Sequence, residues 1–208
     1  MTAARALLLD AARDALARTS WSGVRMADVA ATARVSRQTL YNEFGSKNGL
    51  ARALVHREVD GYLAGVDRVL TGPGEPLARL PALAEWLVTT ARGNPLVRST
   101  LTGQWGPRLP ARALAAEPSG PAALPAPRPG NGPVPSPGAL LAHVRDRAVT
   151  ALAPPAADAV QRAALTRATE IALRLALSCV YAPPPARTAA ELVREALGDR
   201  AQCAEPDI

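Results

Sequence analysis

The densest chemistry in this chain lies between Val24 and Lys47, VRMADVAATARVSRQTLYNEFGSK. The segment reads as two short helices joined by a turn. The second opens at Ser36, a side chain suited to capping a helix N-terminus. Wound at about 100° per residue, Arg37, Gln38, Tyr41 and Asn42 fall on one contiguous arc. Leu40 and Phe44 lie together beside it, and Val35 joins them from just before the cap. One face can therefore pack while the other presents a cation, two amides and a phenol. Those groups match nucleic-acid edges: Arg pairs bidentately with guanine, Gln or Asn with adenine, and hydroxyls hold phosphate. The first residues of such a helix are the ones that reach bases in a groove. Ser46 and Lys47 then open the next helix, where free N–H groups, the helix dipole and an ammonium suit a phosphate.

Positioning these groups is the task of the surrounding elements. None of the 20 prolines falls before residue 73, so residues 1–72 can be long helices joined by short turns. Leu8, Ala11, Ala12, Ala15 and Leu16 predict a first helix over about Ala4–Arg18. Met26, Val29, Ala30 and Ala33 mark the second helix, and Ser36 to Phe44-Gly45 the third. The fourth starts after Ser46 and stops at Gly72-Pro73-Gly74. Beyond it the spacing predicts helices over Pro76–Arg92, Pro95–Leu101, 108–116, Gly138–Leu152, Pro155–Tyr181 and Thr188–Leu197, the last ending at Gly198. Residues 117–137 hold 8 prolines and read as an irregular loop, either a lid or an insertion.

Composition narrows the class. Alanine supplies 45 of the 208 residues, and aromatics only 3 %. Ala-rich, aromatic-poor sequence argues for an all-α fold and against a β-sandwich or barrel. Cys179 and Cys203 stand apart and offer no disulfide framework or metal spacing, so no metal or cofactor is expected. No apolar run reaches ~18–20 residues, and no secretory signal is visible. The expectation is a cytoplasmic protein without a membrane partner. The net charge of +6 permits a polyanion, but residues 1–50 carry only 7 bases against 4 acids. DNA binding thus rests on one helix face, with charge in support.

The segment resembles the DNA-binding domain of the TetR family of one-component bacterial transcriptional regulators. The matching residues are Asp28-Val29-Ala30, Ala33, Val35-Ser36, Thr39-Leu40-Tyr41, Phe44 and Ser46-Lys47, with Trp21 just before the second helix. Weaker likeness continues in NPLVRSTLTG (94–103) and RLALSCVYAPP (174–184), similar to segments of the actinobacterial-type C-terminal domain. The resemblance implies that Arg37, Gln38 and Thr39 contact bases or nearby phosphates. It implies that Tyr41 and Lys47 hold phosphates and that Asn42 edges the footprint. Three positions depart from the family pattern. Val24 and Arg25 stand where a Ser or Thr usually caps the second helix. Arg34 replaces the usual turn glycine, at a cost of ~1 kcal/mol. Gly49 replaces an acid that would complete a capping box. Arg25 and Arg34 are read as added phosphate contacts.

The resemblance further implies a helix-turn-helix domain over 1–48 and a larger helical effector-binding and dimerisation domain over 49–208. A palindromic DNA operator, a small-molecule effector and a second copy of the chain are the implied partners. The residues are compatible with both roles of the larger domain. IALRLALSCVY (171–181) carries a single charge, so it must be covered on more than one side. Ala156, Val160, Ala163, Ala164, Ala168 and Ala172 add a small-residue face for close helix approach, predicting a homodimer through about 155–181 and 188–197. Trp86 and Trp105 offer apolar walls with one N–H each, suiting a hydrophobic or aromatic effector, with Tyr62, Arg98 and Cys179 as further candidates. In the family mechanism, effector binding swings the fourth helix and changes the spacing of the two recognition helices, so a repressor leaves its operator. Two rivals remain at this level besides a degenerate regulator whose C-terminal half serves protein interaction, for which the proline-rich segment 117–137 is the only support. One is an architectural or effector-independent DNA binder. The other is a helical enzyme, for which the sequence supplies no G-x-S-x-G, P-loop, H-E-x-x-H or C-x-x-C, so no catalytic residues are expected.

Overall fold

Helix boundaries follow the capping side chains more closely than the apolar spacing. The computed structural model describes residues 2–73, 75–111, 114 and 132–202. Among them every regular element is helical: α1 (Ala3–Arg18), α2 (Met26–Thr32), α3 (Arg37–Phe44), α4 (Lys47–Leu70), α5 (Arg79–Gly93), α6 (Pro95–Thr102), α7 (Pro137–Leu152), α8 (Ala159–Tyr181) and α9 (Ala189–Gln202), with single 3-10 turns at Trp21–Gly23 and Pro76–Ala78. Residues 112, 113, 115 and 116 of the helix expected over 108–116, and the loop expected over 117–137 as far as residue 131, lie outside the described residues.

Three boundaries differ from the sequence expectation: the helix expected from Pro76 opens with a 3-10 turn and becomes α-helical only at Arg79, and α8 and α9 depart further. α8 starts at Ala159 instead of Pro155, because Asp158 accepts from the Gln161 N–H at 2.7 Å while Gln161 accepts from the Asp158 N–H at 3.1 Å. That reciprocal capping box satisfies two backbone donors and fixes the start. α9 runs through Gly198 to Gln202. A single helical glycine weakens a helix by ~1 kcal/mol but does not end it unless the chain turns there.

The chain divides into two compact units. The first comprises Met1–Asp60 and Gly103–Pro135. Here α1, α2 and α3 pack on one another, burying Leu8, Leu9, Ala12, Trp21, Val29, Leu40 and Phe44, with Leu50 and Leu54 from the start of α4. The stretch after α6 belongs to this unit as well. The Trp21 backbone N–H donates to Arg108 O at 2.8 Å, and His56 Nε2 lies 3.1 Å from the Gly132 carbonyl.

The second unit comprises Gly61–Thr102 and Ser136–Ile208. Its centre is α5, which packs on α6, α8 and α9, while α7 packs on α6 and α8. Leu80, Leu83, Leu87, Leu140, Val144, Leu173 and Val193 fill its core. Ion pairs stitch its outside: Arg147 of α7 to Asp67 of α4, and Arg145 of α7 to Glu170 of α8.

Candidate nucleic-acid interface

The α2–α3 turn is closed almost entirely by backbone. The Ala33 N–H donates to Val29 O and the Val35 N–H to Ala30 O. Between them Arg34 takes φ +54, the left-handed conformation this turn requires and that glycine would adopt freely. Ser36 then does what its position predicts. Its Oγ accepts from the Thr39 N–H at 3.0 Å and lies 2.8 Å from the Thr39 hydroxyl. This exposed hydroxyl is thus the one that fixes where α3 begins. Gly45, at φ +71, ends α3 and returns its N–H to Tyr41 O.

The next helix is seated against this exit with little clearance. Ser46 Oγ accepts from the Gly49 N–H at 3.1 Å, so the start of α4 is capped without the acid usual at position 49. A side-chain carbon on Gly49 would lie 1.9 Å from the Phe44 carbonyl oxygen. Only the absence of a side chain lets α3 and α4 approach this closely, which explains the departure from the family pattern at that position.

A clamp from α1 holds the far end of α3. Arg5 is 8 % exposed, donates to the Glu43 carbonyl at 3.2 Å, pairs with the Glu43 carboxylate at 3.5 Å and lies 4.7 Å over the Phe44 ring. One guanidinium thereby binds a backbone acceptor at the C-terminus of α3, a nearly buried acid and an aromatic face. Thr2 adds a donor to Glu43 at 3.3 Å. The motif does not mark Arg5. The available signal is a cation one turn before Leu8 and Leu9, on the side of α1 that faces inward. On α4, Arg57 makes the matching tie to α1 through Asp10 at 2.6 Å and Leu9 O at 3.1 Å.

With α3 fixed at both ends, its outer face stands free. Arg37, Gln38, Tyr41 and Asn42 are exposed, as are Ser36, Arg34 and Arg25, while Thr39 is half-buried. Gln38 Nε2 donates to Asn42 Oδ1 at 2.9 Å, which aligns the two amides on one side of the helix. Tyr41 remains 48 % exposed although its neighbours Leu40 and Phe44 are buried. Lys47 is only half exposed. It donates to the Ser22 carbonyl at 3.0 Å and sits 5.7 Å over the Trp21 ring, and partial burial pulls its ammonium below the usual lysine value. Its bond to Ser22 fixes the turn before α2.

The residues expected for an effector separate. Tyr62 of α4 and Trp86 of α5 stack, with ring centroids 5.4 Å apart and planes 28° from parallel. Cys179 is buried on α8, and its thiol pKa is raised by desolvation and, less strongly, by the Glu85 carboxylate. Arg98 is exposed on α6, and Trp105 is a half-buried member of the first unit. Elsewhere in the second unit an open groove of about 650 Å³ is lined by Leu77, Pro81, Ala164, Arg167, Arg194 and Leu197, among others. Among the described residues no helix is long and apolar enough to cross a membrane, and no group of three or more His, Cys, Asp or Glu is placed to hold a metal ion.

Comparison with known proteins agrees with this geometry. Residues 8–54 match the model of the bacterial regulatory proteins of the tetR family. The HTH-type transcriptional regulator AlkX of Mycobacterium tuberculosis is 43 % identical over 115 residues, which cover 51 % of this chain and 53 % of that protein. The match thus spans about half the length of that curated relative. Among solved structures, the TetR family repressor AlkX from Dietzia sp., implicated in biodegradation of n-alkanes, superposes with a TM-score of 0.53 over 96 % of this chain and 98 % of that one, at 23 % identity. That likeness is one of fold, and it extends beyond the N-terminal helices. A TetR transcriptional regulator from Rhodococcus sp. covers 94 % of each chain with a TM-score of 0.47 and 20 % identity. The capped turn, the clamped and outward-facing α3 and the match over residues 8–54 converge: the N-terminal helices form a helix-turn-helix domain similar to that of the bacterial regulatory proteins of the tetR family.

Proposed function

We propose that this regulator is a repressor that binds a palindromic operator as a homodimer and is released by a small apolar effector. The carrying observation is the outer face of α3. Four polar side chains stand exposed on a helix whose two ends are fixed by Ser36, Gly45 and Arg5. A rigid helix presenting amides and a guanidinium is what direct reading of the major groove needs. In this reading Arg37, Gln38 and Thr39 read bases. Tyr41, Lys47, Arg34 and Arg25 hold phosphates, Ser36 adds its capping hydroxyl to them, and Asn42 orients Gln38.

Dimerisation is assigned to α8 and α9. Leu165, Ala172, Leu173 and Ala176 of α8 turn inward, while Val160, Ala163, Ala164 and Arg167 on the opposite side are exposed, Val160 to 74 %. Ala172, expected on the small-residue face, belongs instead to the core. The open groove beside Ala164 and Leu197 continues this face onto α9. A second copy covering both supplies the spacing of about 34 Å between recognition helices that two half-sites need.

The effector is assigned to the second unit, with the Tyr62–Trp86 stack as its wall and Cys179 and Arg98 as secondary candidates; Trp105, expected beside them, belongs to the first unit and is not part of this assignment. The Dietzia protein's implication in n-alkane biodegradation supports an apolar ligand class. A gel-shift series with the chain's own promoter region tests the whole reading. The expected result is a retarded complex that scrambled DNA does not compete for and that sediments with two chains per site. Equal competition by scrambled DNA would replace it with an architectural binder.

A further inference from the structure

The stretch that follows α6 is built into the first unit, and it brings a cation with it. Gly103, at φ +72, takes the left-handed conformation that ends α6 and turns the chain out of its helix. From there the chain belongs with Met1–Asp60, not with α6. Pro107 presets the backbone of a turn over 106–109, which the Leu109 N–H closes by donating to Gly106 O at 3.0 Å. Pro110 behind the turn is buried, and Trp105 and Leu109 are half-buried. Arg108, at the third position of the turn, is exposed.

The two ends of Arg108 have separate tasks. Its carbonyl accepts the Trp21 backbone N–H at 2.8 Å, which fixes where the residue sits. Its guanidinium takes no part in that bond, and no carboxylate among the described residues pairs with it. The Trp21–Gly23 turn that it reaches is held from a second direction by Lys47. That ammonium donates to Ser22 O at 3.0 Å and lies 5.7 Å over the Trp21 ring. Arg108 and Lys47 are thus bonded to adjacent residues of one turn, from distant parts of the chain. Arg18 at the end of α1 and Arg25 before α2 flank the same turn, and both are exposed. Acids are sparse around these cations. Asp28 is the one acid between Ala15 and Asn42, and residues 44–57 and 103–111 contain none. Cations gathered with so little countercharge raise the local positive potential, which favours a polyanion.

We propose that Arg108 contacts the phosphate backbone of bound DNA beside Lys47, so that the DNA-binding surface extends past the helix-turn-helix to a residue supplied by the chain after α6. This rests on the DNA reading above and adds a contact outside residues 8–54, the part that matches the family model. A guanidinium carried on a proline-fixed turn holds phosphate through charge-assisted hydrogen bonds. Such a contact carries no base information, so it adds affinity to every DNA sequence alike.

Salt titrations of DNA binding by the full chain test this, with the promoter duplex and a scrambled duplex of equal length, for the parent, Arg108→Gln and Lys47→Ala. Arg108→Gln is expected to bind both duplexes ~3–10-fold more weakly at about 50 mM salt and to lower the salt slope by about one. Its melting temperature is expected to stay within ~1 °C of the parent, because the carbonyl that holds Trp21 is backbone and survives the substitution. Unchanged affinity and slope in Arg108→Gln would overturn the proposal, and a lowered slope in Lys47→Ala beside it would leave the DNA reading standing. A loss confined to the promoter duplex would overturn it by making Arg108 a reader of bases. A lower melting temperature in Arg108→Gln would overturn it by placing the side chain in the fold. A parent that binds neither duplex would overturn the DNA reading and this contact together.

Discussion

Helix α4 carries two glycines in close quarters, one in each unit, and they are close to different things. Gly49 faces the carbonyl oxygen of Phe44, and Gly65 faces the six-membered ring of Trp86. The Phe44 carbonyl already accepts from the Ser46 N–H at 2.8 Å, and Arg5 holds the carbonyl of the preceding residue, Glu43, so the backbone here has little room to give. An indole at the end of a half-buried side chain can turn. The first unit is thus built around fixed backbone, as a surface that must match DNA requires. The second is built around side chains that have more room to rearrange, as the proposed effector site would need.

The largest effect that sharpens this contrast is expected from Gly49→Ala. The added carbon would fall 1.9 Å from Phe44 O, so α3 or α4 must shift. Overpacking of this kind destabilises by ~1–3 kcal/mol, more where backbone must move. Thermal melting should show the loss, and specific operator binding should fall further than stability alone explains. A variant that melts and binds like the parent would show that the α3–α4 junction is soft. Arg5→Met comes next. It keeps the packing on Phe44 but takes the guanidinium from Glu43, which is only 14 % exposed and keeps the Thr2 donor, and removing the charged partner from such a pair is expected to destabilise by ~1–3 kcal/mol. Breaking the pair from the other side with Glu43→Gln should cost less, since the Glu43 backbone carbonyl still accepts from Arg5.

Gly65→Ala is expected to separate the units. Replacing a helical glycine with alanine contributes ~1 kcal/mol of helix propensity, which offsets much of the contact with a ring that can turn. Melting should change little, while Trp86 emission and effector affinity should both shift. If melting falls as far as in Gly49→Ala, the contrast between fixed and yielding surroundings fails.

How far the sequence reaches follows the same division. Ser36 as a cap, Arg34 in a strained turn and the polar arc of α3 are local features, settled within a few residues, and the motif shows them. Arg5 and Glu43 stand 38 residues apart, and nothing local ties a cation on α1 to the end of α3. Asp158 was legible in principle, since Asp-x-x-Gln is a capping box, but the prolines at 154 and 155 compete with it as a helix start. Tyr62 and Trp86 were legible as aromatics but not as a stack, which depends on Gly65 leaving room.

Within the DNA-facing unit the comparison narrows to two neighbouring residues. Gln38 is exposed and bonded only to Asn42, whereas Lys47 is bonded to Ser22 O and stacked on Trp21. Gln38→Ala should relax base preference at one operator position by ~1–3 kcal/mol and leave stability unchanged. Lys47→Ala should weaken all DNA alike, reduce the salt slope by about one unit and also loosen the turn before α2. Uniform loss in both variants would break the assignment of Gln38 to bases.

The smallest expected effect is the most diagnostic for how strain and function are joined at Arg34. At φ +54 an arginine is held where glycine would sit at no steric cost, so Arg34→Gly removes strain of ~1 kcal/mol but adds flexibility to the unfolded chain. The two nearly cancel, and melting should shift by no more than a degree or two. The exposed guanidinium is lost at the same time. If it holds a phosphate, non-specific affinity falls and the salt slope drops by about one unit, while base preference stays as it was. Arg34→Ala separates the terms, because it removes the charge and keeps the strain. Equal losses of DNA affinity in the glycine and alanine variants, with both melting close to the parent, would place the function of Arg34 in its charge rather than in the shape of the turn. If instead the glycine variant binds as well as the parent, the guanidinium contributes nothing to DNA, and the strained arginine is a tolerated departure from glycine.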